Sequence, residues 1–319
     1  MIRFGILGAG NIAHRFAASL AKVEGAELVA ASRRTAGKAA AFLAEVPCTP
    51  GARAYGDHEA LLADPEVDAI YLALPHDLHH AWALRALDAG KAVLCEKPAM
   101  LSEAEAVEAT AAARERGLLF MEAMKTRFVP LHPHVVDAVG ALGPVARVHA
   151  SLCNDALASY RTRDTYILGG GPGSGVLLDC GIYCASWLDE LLPGEIAVER
   201  VDTAFYEGSD VYVDAHMAIG GVAAELECAC DRARPRQLVV EGERGVLTVD
   251  DLHRPQHAEL RIAGEQACIL DVPYEVDDFY GQITHFCALV RAGDIESPLM
   301  PHAATCRCAR ILDAVRTTW

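Results

Sequence analysis

The chain lacks any apolar run near the roughly 18 residues that a membrane-crossing helix needs, so no membrane span is expected. Its start has no basic segment followed by an apolar stretch and a small-residue cleavage site. Arg3 interrupts the apolar start, so secretion is not expected. Positive charge is scarce: 28 Lys and Arg stand against 44 Asp and Glu, a net charge of -16. That balance speaks against nucleic acid as the main partner, because a phosphate backbone needs a basic face. Any phosphate site must then be built locally, from a helix N-terminus and a few arginines. No Cys-x-x-Cys pair occurs. Cys228-Ala-Cys230 and Cys306-Arg-Cys308 have the wrong spacing for a zinc site, and no metal is expected. The 11 cysteines are scattered, mostly within apolar runs, where a thiol behaves as a small hydrophobe. A reduced, cytoplasmic setting is the expectation. Internal repeats and low-complexity segments are absent as well.

What is present is ample apolar material, 52% of 319 residues, enough for two cores. The first third alternates between two patterns. Ile2–Leu7, Glu27–Ala31, Ala69–Leu74, Ala92–Cys95 and Leu118–Met121 read as strands, with helical patterns at 12–21, 37–44, 58–63 and 78–89. Ser102-Glu-Ala-Glu105 is a capping box that opens a further helix. Such alternation predicts a doubly wound parallel α/β sheet. Near Glu122 the character changes to two-residue alternation, over 145–152, 198–206, 211–219, 223–230, 237–241, 246–249 and 258–262. Helical stretches at 133–141, 175–192, 277–292 and 302–316 lie among them. The expectation is a dinucleotide-binding domain over 1–122. An α+β domain with a large, mainly antiparallel open sheet follows over 123–319, its last helix a candidate to pack back on the first domain. The glycine cluster Gly169–Gly175 reads as a flexible loop.

Gly8-Ala-Gly10-Asn11-Ile12-Ala13 fits G-x-G-x-x-A directly after a strand. Glycine permits the tight turn and the close approach of a pyrophosphate, and Ala13 lets the helix pack tightly. The bland alternative is an ordinary strand–turn–helix junction. The second strand ends Ala31-Ser32-Arg33-Arg34, without the carboxylate that usually holds a ribose diol. Ser32 and Arg33 suit a 2′-phosphate, which points to NADP, with NAD the alternative; solvated helix-start charges are the bland reading. After the fourth strand, Leu74, His76 and His79 are candidates for the nicotinamide side of the cofactor. An inert helix start is equally compatible with them. Glu96-Lys97-Pro98 places an ammonium at a strand's C-terminal end, where open α/β sheets bind ligands. Asp179 and Tyr183 are four apart and share a face if helical, and a tyrosine beside a cationic lysine can exchange a proton. A packed core tyrosine is the alternative.

Together these residues resemble the Gfo/Idh/MocA oxidoreductase family, over essentially the whole chain. The resemblance rests on the glycine turn, on Glu96-Lys97-Pro98 and on Gly173-Ser-Gly175-Val-Leu-Leu-Asp179-Cys-Gly181-Ile-Tyr183. Tyr183, where many members carry histidine, is similar to the branch with dimeric dihydrodiol dehydrogenase, glucose–fructose oxidoreductase and NADP-dependent xylose dehydrogenases. Glu122-Ala-Met-Lys125-Thr-Arg127-Phe128-Val-Pro130 and the Ser32-Arg33 pair resemble the same branch. The family implies Lys97, Asp179 and Tyr183 at the catalytic centre, with Lys125 and Arg127 toward substrate. It implies Gly8, Gly10, Asn11, Ile12, Ser32, Arg33, Leu74, His76, His79, Glu96 and Lys97 toward the cofactor, and a homodimer or larger homo-oligomer through the open sheet. His76 departs from the family's usual asparagine, Lys125 stands where an aromatic residue is common, and the loop 169–175 looks long.

The expectation is therefore an NADP-dependent oxidoreductase acting on a sugar, polyol or trans-dihydrodiol. Two alternatives stand beside it: an NAD-retaining enzyme that cleaves glycosides through a redox relay, and a non-catalytic nucleotide- or sugar-binding regulator.

Overall fold

The apolar run Ile2–Leu7 forms β1, buried on both faces, as a strand flanked by parallel neighbours must be. The computed structural model describes residues 1–162 and 165–319. Around β1 lie β2 (Ala26–Ser32), β3 (Arg53–Tyr55), β4 (Ala69–Leu72), β5 (Ala92–Cys95) and β6 (Phe120–Glu122). Their order is β3-β2-β1-β4-β5-β6, with every pairing parallel. The helices of this part are α1 (Asn11–Leu20), α2 (Lys38–Glu45), α3 (His58–Leu62), α4 (His79–Asp88) and α5 (Glu103–Arg116). Leu7 is in register with Leu72, and Leu72 with Cys95. The chain therefore leaves three neighbouring strands at one edge, at Gly8, Ala73 and Glu96.

The second sheet follows α6 (Leu131–Ala141). Its strands are β7 (Val145–Cys153), β8 (Ile196–Tyr206), β9 (Ser209–Ile219), β10 (Val222–Ala229), β11 (Gln237–Gly242), β12 (Gly245–Asp250), β13 (His257–Ile262) and β14 (Cys268–Asp271). The order is β14-β13-β12-β11-β7-β10-β9-β8. Only β7 and β10 pair in parallel. Burial alternates along β9 and β11, so one face is core and the other half-exposed. The short helix α7 (Leu157–Arg161) and α8 (Ile182–Leu191) lie between strands in the sequence, and α9 (Tyr280–Ala292) and α10 (His302–Arg316) close the chain.

By packing, the described chain divides into two units. The first comprises 1–100, 104–124 and 275–305; the second comprises 101–103, 125–274 and 306–319. The core of the first unit holds Phe4, Phe16, Tyr71 and Phe286, all fully buried. Phe16 stacks on Tyr71, with centroids 3.7 Å apart, and Phe4 packs against both Phe16 and Phe286. Alternation in the sequence predicts neither the three-residue edge strand β3 nor β14 nor α7, each too short to set up a period. The helix expected over 175–192 begins instead as a widened π turn at Leu177–Gly181, which leads into α8.

On α9, Gln282 is fully buried, and neither its amide oxygen nor its nitrogen has a hydrogen-bond partner among the described residues. A buried, unsatisfied polar group costs about 1–3 kcal/mol, and an apolar residue of similar shape removes that cost. Gln282→Met is therefore expected to raise Tm by a few degrees in a thermal melt. An unchanged or lowered Tm would contradict this.

Candidate active site

Gly8 has φ +94°, and a Cβ there would stand 2.3 Å from the Ala73 carbonyl oxygen on the neighbouring strand end. Only glycine fits. At Gly10 a Cβ would meet nothing within 4 Å, so that side of the turn is open to a ligand. The helix α1 starts there with no side-chain cap and no carboxylate in its first turn. Its unsatisfied N–H groups and positive dipole end suit a phosphate. Ala13 is fully buried, Ile12 half-buried and Asn11 exposed.

The two residues expected at the 2′-phosphate behave differently. Ser32 is fully buried, its hydroxyl 2.7 Å from His58 Nδ1 and 3.4 Å from the Ile6 carbonyl oxygen. Burial, aided by the Arg34 charge, holds His58 below the usual histidine range. Arg33 is exposed, and its guanidinium donates to the Ala9 carbonyl at 2.8 Å, across the glycine turn. Arg34 is exposed beside it.

The loop after β5 is fixed on both sides of Lys97. Glu96 is buried and accepts a hydrogen bond from the Tyr71 hydroxyl on β4. Its other oxygen accepts from the Lys97 N–H at 3.2 Å. Glu122, at the end of β6, accepts from the Ala99 N–H at 3.0 Å. His79 is fully buried. Its Nδ1 lies 2.8 Å from the Pro98 carbonyl oxygen and its Nε2 2.8 Å from that of Leu74. Burial outweighs these carbonyls and holds the ring below the usual histidine range. Held neutral, the ring carries one N–H and donates to one of these carbonyls. It sits between the end of β4 and the loop that carries Lys97, with both nitrogens turned to the protein rather than to the cofactor expected there. The Lys97–Pro98 peptide is cis, and Lys97 itself is half-buried. Leu74 and His76 are buried at the same edge.

In the second unit, the turn preceding α8 is built around a close approach. Gly175 has φ +98°, and a Cβ there would fall 1.7 Å from Asp210 Oδ1; Asp210 Oδ2 accepts from the Leu177 N–H at 2.7 Å. Gly181 is equally tight, since a Cβ would meet Leu177 at 2.8 Å and Cys228 of β10 at 3.3 Å. The turn therefore sits close on the sheet. It carries Asp179, half-buried, and delivers Tyr183, 7% exposed, into the first turn of α8.

The segment Lys125–Phe128 is a 3-10 turn held against α8 by Arg127. Arg127 is 4% exposed; its Nε donates to Ser186 Oγ at 3.0 Å and a terminal nitrogen to the Ser186 carbonyl at 3.0 Å. The Asp189 and Glu190 carboxylates lie 2.6 and 2.8 Å from the guanidinium. Arg127 is thus a brace inside this unit, not a side chain turned toward solvent. Lys125, 6% exposed, places its Nζ 5.9 Å from the Tyr183 ring centroid. The His253 ring packs edge-on to Tyr183 at 5.7 Å, and the His253 carbonyl accepts from Thr126 at 3.1 Å. The candidates thus fall into two groups, one at the C-terminal edge of the parallel sheet and one around Tyr183. Sequence reasoning missed Tyr71, Glu122 and His253. A lone tyrosine in an apolar strand and a carboxylate directly after one were the available signals for the first two; His253 carried none. Among the described residues no His, Cys, Asp and Glu group could hold a metal ion, and no helix is long and apolar enough to cross a membrane.

His132 on α6 packs against Trp187 at 5.1 Å between ring centroids. Burial, aided by the Arg127 charge, lowers its pKa to about 4 from the ordinary 6.5. Below pH 6.5 the unfolded chain binds this proton and the folded chain does not, until about pH 4. The stability tied to the neutral ring is therefore complete above pH 6.5 and is lost as pH falls toward 4. A loss of about 3 kcal/mol over that window is expected in urea titrations. His132→Phe is expected to remove that share of the pH dependence, and an unaltered slope would refute the assignment.

Residues 2–124 match the family described as an oxidoreductase family with an NAD-binding Rossmann fold, and residues 136–248 match the GFO/IDH/MocA C-terminal domain. Among curated proteins, the chain is 28% identical over 319 residues to scyllo-inositol 2-dehydrogenase (NADP(+)) of Bacillus subtilis, covering 99% of this chain and 96% of that one. It is 32% identical over 333 residues to trans-1,2-dihydrobenzene-1,2-diol dehydrogenase of Bos taurus, with the same coverage. Among solved structures, it is similar to a 3-ketoreductase from Actinomadura kijaniata in complex with NADP and TDP-benzene. That likeness has a TM-score of 0.87 at 27% identity, over 99% of this chain and 97% of that one. With the glycine turn, the braced Glu96-Lys97-Pro98 loop and both domains accounted for, the chain belongs to the GFO/IDH/MocA oxidoreductase family.

Proposed function

We propose that this protein is an NADP-dependent oxidoreductase acting on the CH–OH or carbonyl group of a sugar, polyol or trans-dihydrodiol. The observation that carries the reading is Lys97, an ammonium at the C-terminal edge of the parallel sheet whose flanking backbone is tied down by Tyr71–Glu96, His79 and Glu122. Preorganisation of that kind serves binding and catalysis. The activities of the inositol and dihydrodiol relatives support the reaction class.

The open side of the glycine turn at Gly10 and the uncapped start of α1 fit a pyrophosphate, with Asn11 and Ile12 beside it. Arg33, helped by Arg34, would hold the 2′-phosphate; the buried Ser32 would support the strand end rather than contact it. Leu74, His76 and Glu96 would flank the cofactor at the sheet edge, with His79 as their brace. Bound NADP supplies the two-electron acceptor or donor. Tyr183 would exchange the hydroxyl proton at its phenolic oxygen, Lys97 would lower the phenol's pKa and hold the substrate oxygen, and Asp179 would orient a substrate hydroxyl or Lys97. The half-exposed face of the second sheet is the proposed surface for self-association. A reducing cytoplasm is the proposed setting, supported by cysteines that are mostly buried.

Two experiments test this. Titration with NADP(H) and NAD(H) should show preference for NADP(H), and Arg33→Ala should weaken NADP(H) by about 10–100-fold, the worth of a charge-assisted contact. Equal affinities, or an indifferent Arg33→Ala, would sink the cofactor assignment, and tight retained NAD would shift weight to a redox relay. Secondly, in assays over sugars, polyols and diols, Lys97→Ala and Tyr183→Phe should each lower kcat by about 100-fold or more while NADP still binds. Near-wild-type turnover in either variant would remove that residue from the mechanism.

A further inference from the structure

Lys125 is a buried cation whose ammonium lies over the ring of Tyr183, within the second unit. Its Nζ is 5.9 Å from the ring centroid, inside the range of a cation–π contact, and the residue is 6% exposed. The turn that carries it cannot drift from α8. Arg127 locks it to Ser186, Asp189 and Glu190, and Thr126 locks it to the His253 carbonyl. The ammonium and the phenol are therefore held on one scaffold.

We propose that Lys125 is a positioning residue that stabilises the phenolate of Tyr183 and so sets the pH range in which Tyr183 exchanges a proton. This rests on the reading of Tyr183 as the acid/base. A cation held over the ring favours the phenolate, whose negative charge is shared between oxygen and ring, and a water-poor setting strengthens the effect. Lys97, of the other unit, is the second cation in the proposed mechanism, and within this unit the other charged or titratable groups around Tyr183 do not duplicate Lys125. Arg127 is spent on two carboxylates, and His253 presents a ring edge-on at 5.7 Å. Asp179, four residues before Tyr183 in the turn that leads into α8, is an acid and works in the opposite direction. Cys180 and Cys184, on either side of Tyr183, and Cys228 on β10 are buried thiols, and burial holds the last two in their neutral form. His132 lies beyond Trp187 and is held neutral. Lys125 is thus the cation whose removal leaves the phenolate least supported from within this unit.

The test is a titration of the Tyr183 phenol by NMR of 13Cζ-tyrosine-labelled protein with NADP bound, the signal assigned by its loss in Tyr183→Phe. Lys125→Met should move that titration upward by about one pH unit. The alkaline rise of kcat for substrate oxidation should move by the same amount, which is about a tenfold loss at pH 7, with KM changing much less. Lys125→Arg should restore both toward wild type, because it keeps the charge. If the Tyr183 signal and the kcat profile are unmoved in Lys125→Met, the proposal is overturned. If Lys125→Met does not fold, Lys125→Gln against Lys125→Arg gives the same comparison, and an identical titration in those two variants overturns it equally. Failure of the underlying reading looks different: Tyr183→Phe would then turn over at near wild-type rate whatever Lys125 does.

Discussion

The nucleotide-binding unit depends on a constraint placed on one loop. Parallel strands end in register, so their C-terminal edge is a row of loops with few backbone partners of their own. In this chain the loop after β5 obtains its partners from side chains of three other elements: Tyr71 of β4 through Glu96, His79 of α4, and Glu122 of β6. Each supplies a hydrogen bond inside a buried environment, where an unmatched partner is costly. The side chains that look most chemical in this stretch, Glu96 and His79, are therefore tied into the frame that carries Lys97.

The second unit solves the same problem with charge. Arg127 reaches from a short turn into the side of α8 and is met by two carboxylates and a backbone carbonyl. Buried ion pairs of this kind add little net stability, but removing one partner is severe, so they specify an arrangement more than they stabilise it. What Arg127 specifies is the position of Lys125 and Thr126 against the helix that carries Tyr183. The glycines at 175 and 181 do the complementary work by letting that helix start lie directly on Asp210 and β10.

Much of this was legible in the sequence and some was not, for physical reasons. Gly8 could be read because a tight turn next to a neighbouring strand leaves no room for a Cβ, and Gly10 because a dinucleotide turn keeps that side open to a ligand. The longer strands of both sheets could be read because burial on two faces and on one face leave different periodicities, and the short β3 and β14 could not. The roles of His79, Arg127 and Ser32 were not legible. Each is decided by hydrogen bonds to atoms far along the chain: the Pro98 carbonyl 19 residues away, Ser186 59 residues away and His58 26 residues away. A histidine near a sheet edge and an arginine in a family motif look like ligand contacts until those acceptors are known. The widened turn before α8 leaves no mark either, since no side-chain pattern separates a single π turn from the first turn of an α-helix.

The return of residues 275–305 to the first unit has a bearing on how the protein is made. Phe286 of α9 is fully buried against Phe4, and Asp277 and Asp278 bond Ser19 and Arg15 of α1. The ribosome delivers Phe4 and Phe16 at the outset but their cover some 280 residues later. At about 5–20 residues per second, the face of α1 that receives α9 stays bare for roughly 15 to 60 seconds. The nucleotide-binding unit, although encoded first, is therefore not complete until residue 305 has been made.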